Sequence, residues 1–199
     1  MDDKIPGLIL GYHGCDREVG ERLLAGKEQI RQSKNSFDWL GHGAYFWEND
    51  PERALEYAHR LREGAQKGHS VVKAPFAVGA VLDLGNCLNL LRARNLDIVK
   101  DSYNVYVKHQ QARKLAVPEN KKSIGQDPDL RLRHLDCAVI EFLHDVLEKT
   151  GQLSFDSVRG AFPEEAPLYP NAGFSRRTHI QICVRSMDCI KAYFRIPKL

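Results

Sequence analysis

A chain of 199 residues, 43% hydrophobic and 28% charged, can build one substantial core and is too short to require a second domain, so residues 1–199 read as a single domain. No run approaches the ~18 uninterrupted apolar residues of a membrane helix, and MDDKIPG lacks the basic-then-apolar order of a secretory signal; a soluble, cytoplasmic protein with no membrane contact is expected. Five cysteines (Cys15, Cys87, Cys137, Cys183, Cys189) are odd in number and form no Cys-x-x-Cys pair, which argues for buried free thiols and against disulfide or zinc frameworks.

In chain order, LILGYH (8–13) is short and apolar like a buried strand, and Gly14 is expected to end it. Asp16 then stands at an N-cap position, REVGERLLA (17–25) carries Val19, Leu23 and Leu24 at helical spacing, and Gly26 supplies the stop. Residues 27–44 are polar, contain Gly41 and Gly43, and read as a loop leading into AYFWE. Asp50-Pro51 pairs a capping acid with a first-turn proline, predicting a helix over 51–63 with Ala54, Leu55, Tyr57, Ala58 and Leu61 on its inner face.

FAVGAVLDL (76–84) reads as a strand, and helices are expected over 95–115 and 131–149. Residues 92–134 hold ten Lys/Arg against five acids, an excess of +5 in a chain whose formal charge is +3. A solvated helix face is the simpler reading of that excess, and a nucleic-acid or phosphate surface the alternative. Residues 160–177 form a long loop with three prolines and the Glu164-Glu165 pair. THIQICV (178–184) alternates, setting His179, Gln181 and Cys183 on one face, and IKAYFRI (190–196) closes the chain after a turn at 186–188. Strands at both ends with helices between them define an α+β domain.

His13-Gly14 after a strand, Gly41-x-Gly43-Ala44-Tyr45-Phe46 some thirty residues on, and Ala54 with Tyr57-Ala58 in the next helix resemble the NAD-binding core of the ADP-ribosyltransferases. The nearer branch is the one with diphtheria toxin and the poly(ADP-ribose) polymerases, whose signature is a His, a Tyr and a Glu on three strands. Gln181, followed by Ile182-Cys183-Val184, takes the place of that Glu. The resemblance covers roughly residues 8–63 and 175–196 and leaves the middle unmatched. It implies a split β-sandwich of two small sheets flanked by helices, with NAD as ADP-ribose donor and no metal.

It also implies roles. Tyr45 and Tyr57 would hold the flat nicotinamide cation by stacking, Gly14 would admit the carboxamide to the backbone, and His13 would bond a ribose hydroxyl. Gly43 belongs to the same NAD-binding set. Gln181 can orient the nicotinamide ribose but brings no negative charge, which argues against chain elongation and for single transfer. His179, two residues earlier, would meet the acceptor as a general base. The 160–177 loop would recognise that acceptor, protein or nucleic acid, and Glu164 or Glu165 could fold in as the missing carboxylate. Compact bacterial members are often toxins or defence effectors, which leaves room for a neutralising partner protein. Two other readings stand beside this one: a degenerate NAD- or nucleic-acid-binding module, and an NAD-independent RNA-processing enzyme using His13, His179 and the basic segment.

Overall fold

The computed structural model describes residues 7–64, 72–122 and 131–197. Strand β1 (Ile9–Asp16) runs directly into helix α1 (Arg17–Leu24), followed by β2 (Ala44–Glu48), α2 (Pro51–Glu63), β3 (Pro75–Leu82) and β4 (Cys87–Asn89). Then come α3 (Ala93–Ala112), β5 (Asn120–Lys121), β6 (Leu132–Arg133), α4 (His134–Lys149), β7 (Ser157–Phe162), β8 (His179–Val184), a 3-10 turn (Met187–Cys189) and β9 (Ile190–Arg195). The domain is α+β.

Local chemistry sets the boundaries. The Asp16 carboxylate accepts from the Glu18 backbone N–H, and Gly26 adopts a φ of 65° just after α1, as cap and stop residues require. Helix α2 starts where Asp50 accepts from Arg53 N at 2.9 Å with Pro51 in the first turn. Strand β1, however, does not end at Gly14. It continues to Asp16 because β3 offers a partner at every position, from Ile9↔Leu82 to Asp16↔Pro75. Helix α4 begins at His134 rather than 131, since Leu132 and Arg133 pair with β5 and the Asn120 side-chain carbonyl receives the N–H groups of Leu135 and Asp136.

One sheet of seven strands, ordered β4-β7-β8-β2-β1-β3-β9, replaces the two expected small sheets, with β5 and β6 forming a separate ribbon. Every neighbouring pair is antiparallel except β4 with β7. The reason for the single sheet is a narrow seam: β1 and β2 share two register pairs, Gly11↔Glu48 and Tyr12↔Trp47. Past them the strands part, and the His13 ring bridges the gap by bonding the Tyr45 carbonyl at 2.8 Å. A four-stranded half (β4, β7, β8, β2) and a three-stranded half (β1, β3, β9) thus diverge from one hinge line.

Buried side chains fall into clusters on both faces. Phe46, Val78, Leu82, Ile182 and Val184 pack with Leu23 of α1, while Leu40, Leu88, Val158 and Cys183 pack with Ile140 and Leu143 of α4. Tyr12, Trp47 and Ala77 meet Ala54 of α2. All five cysteines are buried free thiols. No helix among the described residues is long and apolar enough to cross a membrane.

Candidate functional site

The site grows out of strand alternation. In β2, Ala44 and Phe46 enter the first core, which turns Tyr45 and Trp47 to the opposite face. In β8, Ile182 and Val184 do the same, which turns Gln181 and Cys183 away. The register Tyr45↔Cys183 and Trp47↔Gln181 then sets those four side chains side by side. With His13 at the mouth of the seam, Tyr45, Trp47 and Gln181 border a cleft of about 330 Å3, within the range of small-molecule sites, while Cys183 stays in the core beneath. Its walls include His13, Gly43, Tyr45, Tyr57, Glu164 and Gln181, so three strands, one helix and two loops supply residues anticipated from the sequence.

Each side chain has a fixed setting. His13 Nδ1 faces the Tyr45 carbonyl, which can only accept; the ring is therefore the Nδ1–H tautomer, and Nε2 is an acceptor. Burial lowers the His13 pKa, opposed by that backbone bond, so the imidazole is neutral near pH 7. The Tyr45 hydroxyl donates to Gly41 O at 2.7 Å and accepts from Leu40 N at 2.9 Å, and burial pushes its pKa well above the usual phenol value. The ring is thereby clamped to the loop it faces. Tyr57 packs at 5.0 Å from Trp47, with the Arg60 guanidinium 5.3 Å from its ring centroid.

The loop after α1 closes one side. Asp38 accepts from the backbone and side chain of Asn35, and burial raises its pKa against those bonds. Gly41, at φ 81°, sits against Glu141 and Ile140 of α4, where Arg185 bonds Glu141 and the Glu141 carboxylate also receives the His42 backbone N–H at 2.8 Å. A Cβ on Gly43 would lie 2.5 Å from both Cys183 Sγ and Val184 O, so only glycine lets this loop join β8.

Three of the expected sites take a particular setting. Gly14 is not a wall of the cleft: a Cβ there would lie 2.0 Å from Ala54 O, and the position is glycine because α2 rests on the β1 backbone. His179 lies in a smaller cavity beside the cleft, bordered also by Arg53, Arg177, Glu164 and Gln181. It is 6% exposed between the rings of Trp39 and Phe162, bonded through Nδ1 to Arg177 O, with a buried Nε2 that has no partner among the described residues. Burial lowers its pKa, which keeps it an uncharged acceptor. The Glu164-Glu165 pair divides. Glu164 turns inward, 5% exposed, to Arg53 at 2.8 Å, whereas Glu165, at φ 67°, pairs with Arg177 outside the cleft walls.

Sequence reading also missed wall residues. Trp47 follows Tyr45 by two in a strand, and Arg53 and Arg60 flank Tyr57 at i−4 and i+3, spacings that place them on the same faces. Asp38 and Trp39 carried no such signal. Of the basic segment, Arg131 reaches the cleft wall and Arg133 lies over the Trp39 ring at 4.9 Å, whereas Asp127 and Asp129 fall outside the described residues.

This chain is similar to an uncharacterized protein of Methanocaldococcus jannaschii, MJ0359, at 26% identity over 90% of the present chain and 83% of the other. No protein-family profile matches the chain, and no solved structure matches it.

Proposed function

We propose that this protein is an NAD-dependent mono-ADP-ribosyltransferase acting on a macromolecular acceptor. The observation that supports the reading most is the convergence of His13, Tyr45 and Gln181, from β1, β2 and β8, on one cleft where the sheet parts. Nothing in the hydrophobic patterning demands that a His, a Tyr and a Gln from three strands share one wall, whereas NAD recognition uses each of them. His13 Nε2 accepts a ribose hydroxyl, the Tyr45 and Tyr57 rings hold the nicotinamide, and the Gln181 amide orients its ribose. Trp47 Nε1, buried where both cavities meet the ring and without a partner among the described residues, leaves one donor for a ligand to satisfy.

Transfer breaks the bond from nicotinamide nitrogen to ribose C1′, both electrons leaving with the nitrogen, and joins C1′ to an acceptor atom that gives up a proton. In this reading His179, neutral and bordering the cavity next to Gln181, receives that proton. The test is incubation with NAD labelled on the adenylate and a cell lysate, followed by protease or nuclease treatment. Label on macromolecules with matching nicotinamide release is expected, and its sensitivity identifies the acceptor as protein or nucleic acid. Absence of both label and nicotinamide release, in a protein that binds NAD, would reduce the site to a binding module.

A further inference from the structure

The proposed reaction leaves one chemical gap. Positive charge develops on the ribose as nicotinamide departs, and Gln181 brings a dipole where a full negative charge stabilises most. We infer that Glu164 supplies that charge, held in place by Arg53, so that the ribose-facing function is divided between an orienting amide on β8 and a carboxylate on the loop that leads into it. This rests on the transferase reading above.

Four observations point to Glu164. It borders both cavities, as Gln181 does, so the two side chains share the space in which the ribose and the acceptor meet. It is deeply buried, with 6% of its side chain exposed, where a carboxylate acts through less water. Its Oε2 accepts from Arg53 Nη2 at 2.8 Å, while Oε1 accepts from no protein group among the described residues. The other carboxylate of the cleft, Asp38, spends both oxygens on Asn35.

The supports of Glu164 fix its position. Arg53 is anchored on the first turn of α2, reaches Glu164 with one amino group and Glu56 with the other at 3.0 Å, and is 12% exposed. Since one guanidinium serves two carboxylates, the Glu164 charge is steadied rather than cancelled. Glu165 and Arg177, at 2.8 Å, hold the next residue of the same loop outward. The step itself is balanced: the electron pair of the C1′–N bond leaves on nicotinamide, the ribose becomes cationic, and Glu164 lowers the energy of that cation without bonding to it or exchanging a proton.

Two measurements on purified protein test this: NAD affinity by calorimetry and nicotinamide release. Glu164→Gln keeps shape and hydrogen-bonding capacity and removes the charge, so NAD affinity is expected to stay within about threefold while turnover falls by about 100-fold or more, the scale for losing one charge-stabilising group. Adding Gln181→Glu to that variant restores a charge to the same space and is expected to recover at least about tenfold. If taking the Glu164 charge from Arg53 prevents folding, Arg53→Met with Glu164→Gln removes both charges, and the same loss and the same rescue are expected. Wild-type turnover in a charge-free variant overturns the inference, and so does a loss that Gln181→Glu leaves unchanged. A wild-type protein that neither binds NAD nor releases nicotinamide overturns the transferase reading instead, and this inference with it.

Discussion

Tyr45 serves the cleft at both ends of its side chain. Its ring forms the wall, and its hydroxyl joins Leu40 N to Gly41 O, the turn that carries the rest of that wall. Considered only as a stacking surface, the residue tolerates Phe. Once the two hydrogen bonds are counted, Tyr45→Phe strands the buried Leu40 N–H and leaves Gly41 O with only the weak Cys183 thiol donor at 3.5 Å, a cost of about 1–3 kcal/mol. Lower thermal stability and weaker NAD binding are both expected for Tyr45→Phe, with a further loss for Tyr45→Ala. A melting temperature unchanged in Tyr45→Phe would assign the hydroxyl no structural share. The histidines make a second residue-scale prediction. Burial lowers the pKa of His13, His144 and His179, so the unfolded chain binds more protons than the folded one once pH falls below about 6.5. Stability is therefore fully present above that value and declines as the solution is acidified, by up to about 1.4 kcal/mol per pH unit for each histidine. Melting temperatures from pH 7.5 to 5 should fall, and the slope should flatten in His144→Gln. A flat profile in the wild type would mean that the three rings are as readily protonated folded as unfolded.

Helix α2 shows how much of an element is legible in its sequence. Asp50-Pro51, the alternation of Ala54 and Ala58 with larger residues, and Gly64 define its ends and inner face, and the structure places them as read. The depth of its seat was not legible, because it depends on what lies beneath. Ala54 and Ala58 are small so that α2 can approach β1, and Gly14 is small to receive it. Gly14→Ala therefore presses a methyl group against helix backbone, which cannot yield as a flexible side-chain tip would. A loss of about 1–3 kcal/mol is expected, together with weaker NAD binding, because Tyr57 and Arg60 ride on the same helix. Stability and affinity measured on one preparation check this; loss of affinity without loss of stability would return Gly14 to direct ligand contact. Strands β4, β5, β6 and β7 were not legible in the sequence, and β7 matters most for the site. SVRGAF has a glycine between Val158 and Phe162 on the face that alternation would make apolar, and it becomes a strand because β4 and β8 supply partners on both sides. The same pairing carries the chain to Glu164. Its neighbour Glu165 was indistinguishable until the loop geometry turned one carboxylate in and the other out.

At the scale of the molecule, strands near both ends of the chain meet at the centre of the sheet. His13 comes from the first strand and Gln181 from the eighth, and the cleft needs both. Alternation and end signals identified these strands separately. Their adjacency follows from the order β7-β8-β2-β1-β3-β9, in which β8 lies between β7 and β2 while β9 caps the opposite half. A chain cut after Thr178 loses the strand that joins β7 to β2, and it should remain protease-sensitive and fail to bind NAD. Protection from protease or NAD affinity in that fragment would show that the first 178 residues hold the cleft together by themselves.

This arrangement also governs the birth of the protein. At roughly 5–20 residues per second, a ribosome needs about 10–40 s to reach β8 and β9. Throughout that interval β2 and β7 wait on either side of a strand that has not yet been made, and β3 waits for its outer neighbour. A nascent chain that has not yet emerged past β8 therefore lacks the Gln181 wall, and its cleft is incomplete whatever has folded before it.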